Sequence, residues 1–148
     1  MRKFLIAVAL PFLLIAGAAT ASEYGSPDEA KAMLERAVAA LKADKAKALT
    51  MFNERSEGFG DRDLYVYCGG DDGMFTAHYN EKVRAMSLKD LKDKEGNAFG
   101  EEIYSVAEPG KLAEVEYKWN RPGSDDLVDK VAYVTKEGDE ICAVGYYK

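Results

Sequence analysis

The sequence has few of the residues that most metal and hydrolytic sites need. Its 148 residues include one histidine and two cysteines, whereas a zinc centre takes three or four ligands from the protein. Residues 91–102 match a calcium-binding loop at some positions, but Leu91 stands where the first carboxylate is required. No Gly-x-Ser-x-Gly turn is present to carry a serine nucleophile. We therefore expect no metal site, no cofactor and no Ser-His-Asp triad.

Basic residues are also in the minority. The chain has 20 Lys and Arg against 26 Asp and Glu, which gives a net charge of −6. Nucleic acids and anionic membranes attract basic surfaces, so both are poor partners for this chain. Residues 22–148 contain no apolar run near the roughly 20 residues that span a bilayer.

One long apolar run does occur, at residues 4–19, and it indicates export. Arg2 and Lys3 precede it, and Ala19-Thr20-Ala21 follows it as a small-x-small cleavage site. We predict that residues 1–21 are a secretory signal peptide and that residues 22–148 form one periplasmic or secreted domain. The alternative is an uncleaved membrane anchor. A lipoprotein is not expected, because no cysteine follows the run.

The segment after residue 25 predicts an amphipathic helix. Ser26 is a candidate N-cap, Pro27 takes the first helical position, and Glu29 completes a capping box. An apolar stripe with helical spacing follows, made of Ala30, Met33, Leu34, Ala37, Val38 and Leu41. Asp44 caps a second segment. A stripe this short favours packing on a sheet over a coiled-coil partner surface.

From residue 63 the apolar pattern alternates, which is typical of strands. Five strands are predicted, at 63–69, 74–79, 112–119, 128–135 and 140–147. A polar linker with one helix near 98–107 separates the second strand from the third. This order predicts an α+β domain with one antiparallel sheet.

The first predicted hairpin separates two groups of side chains. A turn centred on Asp71-Asp72 pairs residue 65 with 78, 67 with 76 and 68 with 75, and cross-strand partners share a face. One face, here called the tyrosine face, then carries Tyr65, Tyr67, Thr76 and His78. The other carries Leu64, Val66, Cys68, Phe75 and Ala77. Because Cys68 and His78 lie on opposite faces, we expect no Cys–His dyad and no catalytic residue.

The last predicted hairpin decides the faces of two further residues. A three-residue loop, Lys136-Glu137-Gly138, places Tyr133 opposite Ile141 and so on the tyrosine face. Strict alternation then places Lys130 on the other face, unless the start of its strand is bulged or frayed.

The two cysteines predict a disulfide. Cys68 and Cys142 each lie within a predicted strand of an exported domain, where oxidation favours pairing. A bridge closing so long a loop stabilises a fold by about 2–4 kcal/mol. Two separate buried thiols are the alternative, because the sequence does not establish that the strands are neighbours.

Four segments together resemble a known family. They are "DLYVYCGGDDGMFTAH", "SLKDLKDKEGNAF", "VEYKW" and "KVAYVTKEGDEICAVGYY", in that order behind a long helix. Over residues 28–147 the chain is similar to a single Cache domain of type 2, a PAS-like extracytoplasmic sensor module of chemoreceptors and sensor kinases. The resemblance implies a long N-terminal helix packed on one face of a five-stranded antiparallel sheet. It also implies a helical crossover and a small-ligand pocket on the other face.

Matched to the family's motifs, the ligand-binding candidates are Tyr65, His78, Trp119, Lys130 and Tyr133. The resemblance implies that Lys130 provides the positive charge that pairs with a ligand carboxylate, and that the tyrosines and His78 donate hydrogen bonds to it. The chain departs from the family's pattern at Tyr79, where proline is usual, and at residues 84–86, where Gly-Lys is usual.

Typical members lie between transmembrane helices, whereas this chain resembles a free-standing exported form. The resemblance therefore predicts a binding or sensing domain for a small metabolite, most simply an organic acid. The domain would act without catalysis and serve a separate membrane receptor or sensor kinase. The alternative is an accessory interaction domain that keeps the fold and has no functional pocket.

Overall fold

The computed structural model describes residues 21–148, so the predicted signal peptide lies outside the described residues apart from Ala21. Within that range no helix has both the length and the apolar character needed to cross a membrane. The elements in chain order are α1 (Pro27–Ala43), α2 (Lys45–Glu54), β1 (Gly60–Asp61), β2 (Leu64–Gly70), β3 (Phe75–Ala77), α3 (Glu81–Arg84), α4 (Phe99–Val106), β4 (Ala113–Asn120), β5 (Leu127–Glu137) and β6 (Glu140–Tyr147).

The strands form one antiparallel sheet in the order β1-β2-β6-β5-β4, with β3 also paired to β2. The α+β class and all five predicted strands are confirmed. The predicted number of strands was one too few, because β1 is a two-residue strand pairing Gly60 with Tyr65 and Asp61 with Leu64. A strand this short carries no alternating pattern that a sequence could reveal.

The N-terminal helices cover one face of the sheet. Ser26 and Glu29 form the predicted capping box, and the Asp44 carboxylate accepts from the Lys47 N–H to cap α2. The apolar stripe of α1 packs against what we call the helix face of the sheet. Its central residues are Leu64, Val66, Cys68, Cys142 and Val144. The predicted helix-on-sheet packing is confirmed.

The opposite face is the tyrosine face, and the crossover between β3 and β4 covers it as predicted. Helix α4 packs on β4 and β5, and α3 packs on β3. Leu88, Leu91, Phe99 and Ile103 of the crossover pack against Tyr65, Tyr67, Tyr117 and the small side chains of β5 and β6. This second core separates the tyrosine face from solvent.

The predicted register of the first hairpin is wrong. Asp71, Asp72 and Gly73 form a three-residue loop, with Gly73 at a φ of 87° and Gly70 N–H donating to the carbonyl of Met74. Cys68 then pairs with Ala77 and Gly69 with Phe75, across a β-bulge. Two side chains are therefore exchanged between the faces relative to the prediction.

Phe75 packs on the tyrosine face, and Thr76 instead donates a hydrogen bond to Glu140, which pairs with Lys45 of α2. Tyr65, Tyr67 and His78 keep their predicted side. The bulge explains why only two side chains change faces, because its extra residue reverses the alternation at Phe75 and Thr76 and nowhere else.

The predicted register of the last hairpin is also wrong, and the correction moves two site candidates. Glu137 pairs with Glu140 across the two-residue loop Gly138-Asp139, with Gly138 at a φ of 60°. Tyr133 therefore lies opposite Val144 on the helix face, where its ring lies 5.8 Å from that of Tyr146. Lys130 lies opposite Tyr147 on the tyrosine face.

The predicted disulfide is confirmed. Cys68 of β2 and Cys142 of β6 are direct cross-strand partners, and their sulfurs are bonded. Both side chains are buried on the helix face. Although Glu140 lies beside them, neither sulfur is a thiolate, so the three residues do not make a metal site.

Candidate functional site

A small cavity lies between the tyrosine face and the crossover. Its volume is about 10 Å³, about the space of one water molecule. Most of its wall is aromatic. The lining residues are Tyr65, Tyr67, Phe75, His78, Val83, Leu88, Leu91, Phe99, Tyr117 and Trp119.

Behind this wall lies the fully buried side chain of Lys130. Its Nζ donates a hydrogen bond to the Tyr65 hydroxyl at 2.8 Å and lies 4.2 Å from the centroid of the same ring. The rings of Tyr67, Tyr117 and Tyr147 surround it at 5.5, 5.8 and 4.9 Å. Within residues 21–148, no carboxylate oxygen lies within 4.0 Å of Nζ. We call Lys130 and these four tyrosines the lysine cage.

Gly145 makes room for this lysine. A Cβ atom at position 145 would lie 2.3 Å from Lys130 Cε, well inside contact distance. Two residues later on the same face of β6, Tyr147 supplies a ring of the cage and donates from its hydroxyl to the Asn120 carbonyl. The terminal Gly-x-Tyr segment thus has a physical role: the glycine admits the lysine stem and the tyrosine covers its end.

Burial sets the protonation states in the cage. It lowers the pKa of Lys130 to about 7, and only Asp63 acts in the opposite direction. Burial also raises the pKa of Tyr65 and of Tyr117 well above the usual value. The phenols therefore stay neutral at physiological pH, whereas the ammonium group of Lys130 is poised to lose its proton.

His78 is buried beside the cage. Its Nδ1 accepts from the Asn80 N–H at 3.0 Å, so the ring proton of the neutral form is on Nε2. Burial, and then the charge of Lys130, lower the pKa of His78 to about 3. The histidine is therefore a neutral wall residue. Its ring stacks on that of Tyr79, with centroids 4.9 Å apart.

The predicted site residues fall into three groups. Tyr65, His78 and Trp119 line the cavity, and Lys130 lies directly behind Tyr65. Tyr133 is on the other side of the sheet and does not reach the cavity, because the hairpin loop is one residue shorter than predicted.

Sequence reasoning missed other members of the site. Tyr67 is predicted on the tyrosine face but not as a site residue, and no role is predicted for Tyr117; their hydroxyls bond to each other at 2.9 Å. Phe99 stacks on Tyr117 with ring centroids 4.0 Å apart. It comes from the polar linker, where no apolar period marks it.

Comparison with known proteins agrees with this architecture. The model of the family "Single Cache domain 2" matches residues 10–145. A search of curated protein sequences finds no match.

The solved structures that share the fold include the following three. A methyl-accepting chemotaxis protein from Vibrio parahaemolyticus RIMD 2210633 has a TM-score of 0.65 at 21% identity, covering 81% of this chain and 86% of that one. A periplasmic sensor domain of a chemotaxis protein has a TM-score of 0.59 at 19% identity, covering 81% and 88%. A Cache chemosensory domain described for its carboxylic acid recognition has a TM-score of 0.58 at 21% identity, covering 81% and 86%.

Cache domains are sensory, non-catalytic modules that bind small molecules and occur in membrane chemoreceptors. Because the family's model matches nearly the whole length, this chain belongs to the single Cache domain 2 family.

Proposed function

We propose that this chain is an exported binding domain for a small carboxylate, acts without catalysis and reports to a separate membrane partner. The observation that carries the proposal is the buried Lys130 ammonium: the Tyr65 hydroxyl and the rings of four tyrosines surround it, and within residues 21–148 no carboxylate oxygen lies within 4.0 Å of its Nζ. Burying an ammonium without a counter-charge costs several kcal/mol. An anionic ligand would supply the missing charge.

A carboxylate fits this environment better than a neutral ligand does. Hydrogen bonds between an ammonium and a carboxylate are about twice as strong as neutral ones, and Tyr65 is placed to donate to the same anion. The related Cache chemosensory domain described for carboxylic acid recognition supports the same ligand class.

The ligand must open its own space. A cavity of about 10 Å³ holds no carboxylic acid, so Val83, Leu88 and Leu91 of the crossover must move outward when the ligand enters. A displacement of the crossover is a change that a membrane partner could recognise.

Small carboxylates should stabilise the protein in a thermal-shift and calorimetry panel of acetate, propionate and lactate. A ligand at one hundred times its Kd adds about 2.7 kcal/mol to the free energy of unfolding. Lys130→Met should abolish the shift, because it removes the cation and keeps the apolar stem. Lys118→Met is the matched control and should keep the shift, since Lys118 pairs with Asp129 at the protein surface. Stabilisation by these acids in Lys130→Met would refute the assigned anchor.

One observation favours the accessory interaction domain as a second candidate, namely the nearly filled cavity. That candidate requires a flat response to carboxylates, amino acids and amines alike. It also requires Lys130→Met to bind the membrane partner as the wild type does.

Export with cleavage is a further part of the proposal. The first residues after the predicted cleavage site belong to the fold: Arg62 donates to the carbonyls of Ser22 and Tyr24, and Gly25 N–H donates to Asp63 at 2.7 Å. The protein isolated from the periplasm should begin at Ser22 and lack the mass of residues 1–21. Intact mass spectrometry measures this directly, and a chain beginning at Met1 would favour the membrane anchor instead.

A further inference from the structure

A polar cleft adjoins the cavity and has no role in the function proposed above. Its volume is about 320 Å³, and it shares His78, Val83 and Trp119 with the cavity wall. The rest of the cleft comes from the residues after the β3 strand and from the loop between β4 and β5. These lining residues are Tyr79, Asn80, Asn120, Arg121, Gly123, Ser124 and Asp125. A ligand filling the cavity could therefore extend into the cleft past Trp119.

Arg121 is the cation of this cleft, and its side chain is under-used. A guanidinium group has five N–H donors, yet within residues 21–148 none of them makes a hydrogen bond. Its Nε forms an ion pair with Asp63 Oδ2 at 3.4 Å, but neither of these buried atoms makes a hydrogen bond. The group is held instead over the rings of Tyr24 and Tyr147, at 4.0 and 5.3 Å. Free donors on a positioned guanidinium suit a carboxylate, which accepts two of them at once.

The two cations of the site, Lys130 and Arg121, contact the same residue. Lys130 Nζ and the Arg121 guanidinium both contact the ring of Tyr147, one within the lysine cage and the other at the cleft. We propose that the ligand is a small dicarboxylate, with one carboxylate at Lys130 and the second at Arg121. Trp119 and His78 would flank the carbons that join them. This inference rests on the proposed carboxylate-binding function and specifies its ligand class.

Two acidic residues lie near the position proposed for the second carboxylate. Asp63 is buried, accepts from the Gly25 N–H through one oxygen and pairs with Arg121 Nε through the other, which leaves the two terminal nitrogens of the guanidinium for a ligand carboxylate. Asp125 lines the cleft from the loop, where its side chain is exposed. An ammonium group near Asp125 would make the ligand a zwitterion instead, and the experiment separates the two.

The test compares matched pairs by calorimetry: succinate against propionate, and glutarate against butyrate and 4-aminobutyrate. We expect at least one dicarboxylate to bind ten or more times more tightly than its monocarboxylate. Arg121→Gln should bring that ratio to within about twofold, because it removes the cation that the second carboxylate needs. Lys118→Gln is the matched control: Lys118 lies on β4 just before the loop that carries Arg121 and pairs with Asp129, so this variant should leave the ratio as it is.

Should Arg121→Gln fold poorly, Ser124→Asp provides a second measurement, since a carboxylate placed in the cleft should weaken only the dicarboxylate. Equal affinities within each pair, a ratio that survives Arg121→Gln, or tighter binding of 4-aminobutyrate than of glutarate would each overturn the inference. In those cases binding of monocarboxylates still supports the proposed function. If no carboxylate binds at all, the proposed function itself fails.

Discussion

Reduction of the Cys68–Cys142 disulfide is expected to lower the free energy of unfolding by about 4 kcal/mol. The bridge joins residues 74 positions apart, and in the chain-entropy account a loop of this length lies near the upper end of the usual range. The cross-link also holds β2 beside β6 at the centre of the sheet. Urea unfolding of the wild type with and without reductant measures the difference.

The variant Cys68→Ala/Cys142→Ala is the control for the reductant itself. Its urea midpoint should equal that of the reduced wild type or lie slightly below it, because the variant also lacks two buried sulfurs. Adding reductant should not change this midpoint. Complete labelling of both cysteines by a thiol reagent without prior reduction would contradict the bridge. So would an unchanged urea midpoint.

The parts of the fold that were predictable from the sequence are those fixed by local chemistry. The capping box of Ser26 and Glu29 starts α1 where predicted, because its hydrogen bonds involve residues three apart. The faces of β2 were also predictable, since alternation within one strand needs no knowledge of its partners. Tyr65, Tyr67 and Cys68 therefore lie on their expected sides.

The parts that failed depend on pairing between strands. Each hairpin register follows from its loop length, and an error of a single residue exchanges the faces. At Gly138 the sequence Lys-Glu-Gly-Asp is compatible with loops of two or three residues. The actual two-residue loop is what moves Tyr133 to the helix face and Lys130 into the cage. The family resemblance places Lys130 among the candidates on the pocket side, where the structure has it, whereas strict alternation places it on the helix face.

Between pH 7 and pH 9 the free energy of unfolding should rise, by up to about 1.4 kcal/mol per pH unit. In the folded protein the pKa of Lys130 is lowered to about 7 by burial, from an ordinary value of 10.5. Across this range the unfolded chain keeps the proton that the folded chain has lost. Stability increases with pH wherever the unfolded state binds more protons, so alkaline conditions favour the fold. Below pH 7 the lysine is charged in both states and its destabilising effect is at its full size.

Lys130→Met isolates this effect. The variant should be more stable than the wild type at pH 7 by several kcal/mol, because an apolar side chain of similar shape replaces an uncompensated buried charge, and its stability should vary far less between pH 7 and pH 9. Lys118→Met should keep the wild-type slope, since the ordinary pKa of lysine, 10.5, already lies above this range and Asp129 raises the pKa of Lys118 further. Measurements stop at pH 9 because the tyrosines of the cage resist deprotonation and lower stability above pH 10.

A wild-type stability that stays level or falls from pH 7 to pH 9 would mean that Lys130 keeps its proton in the fold. The cage would then already balance the charge that the proposed ligand is needed to neutralise.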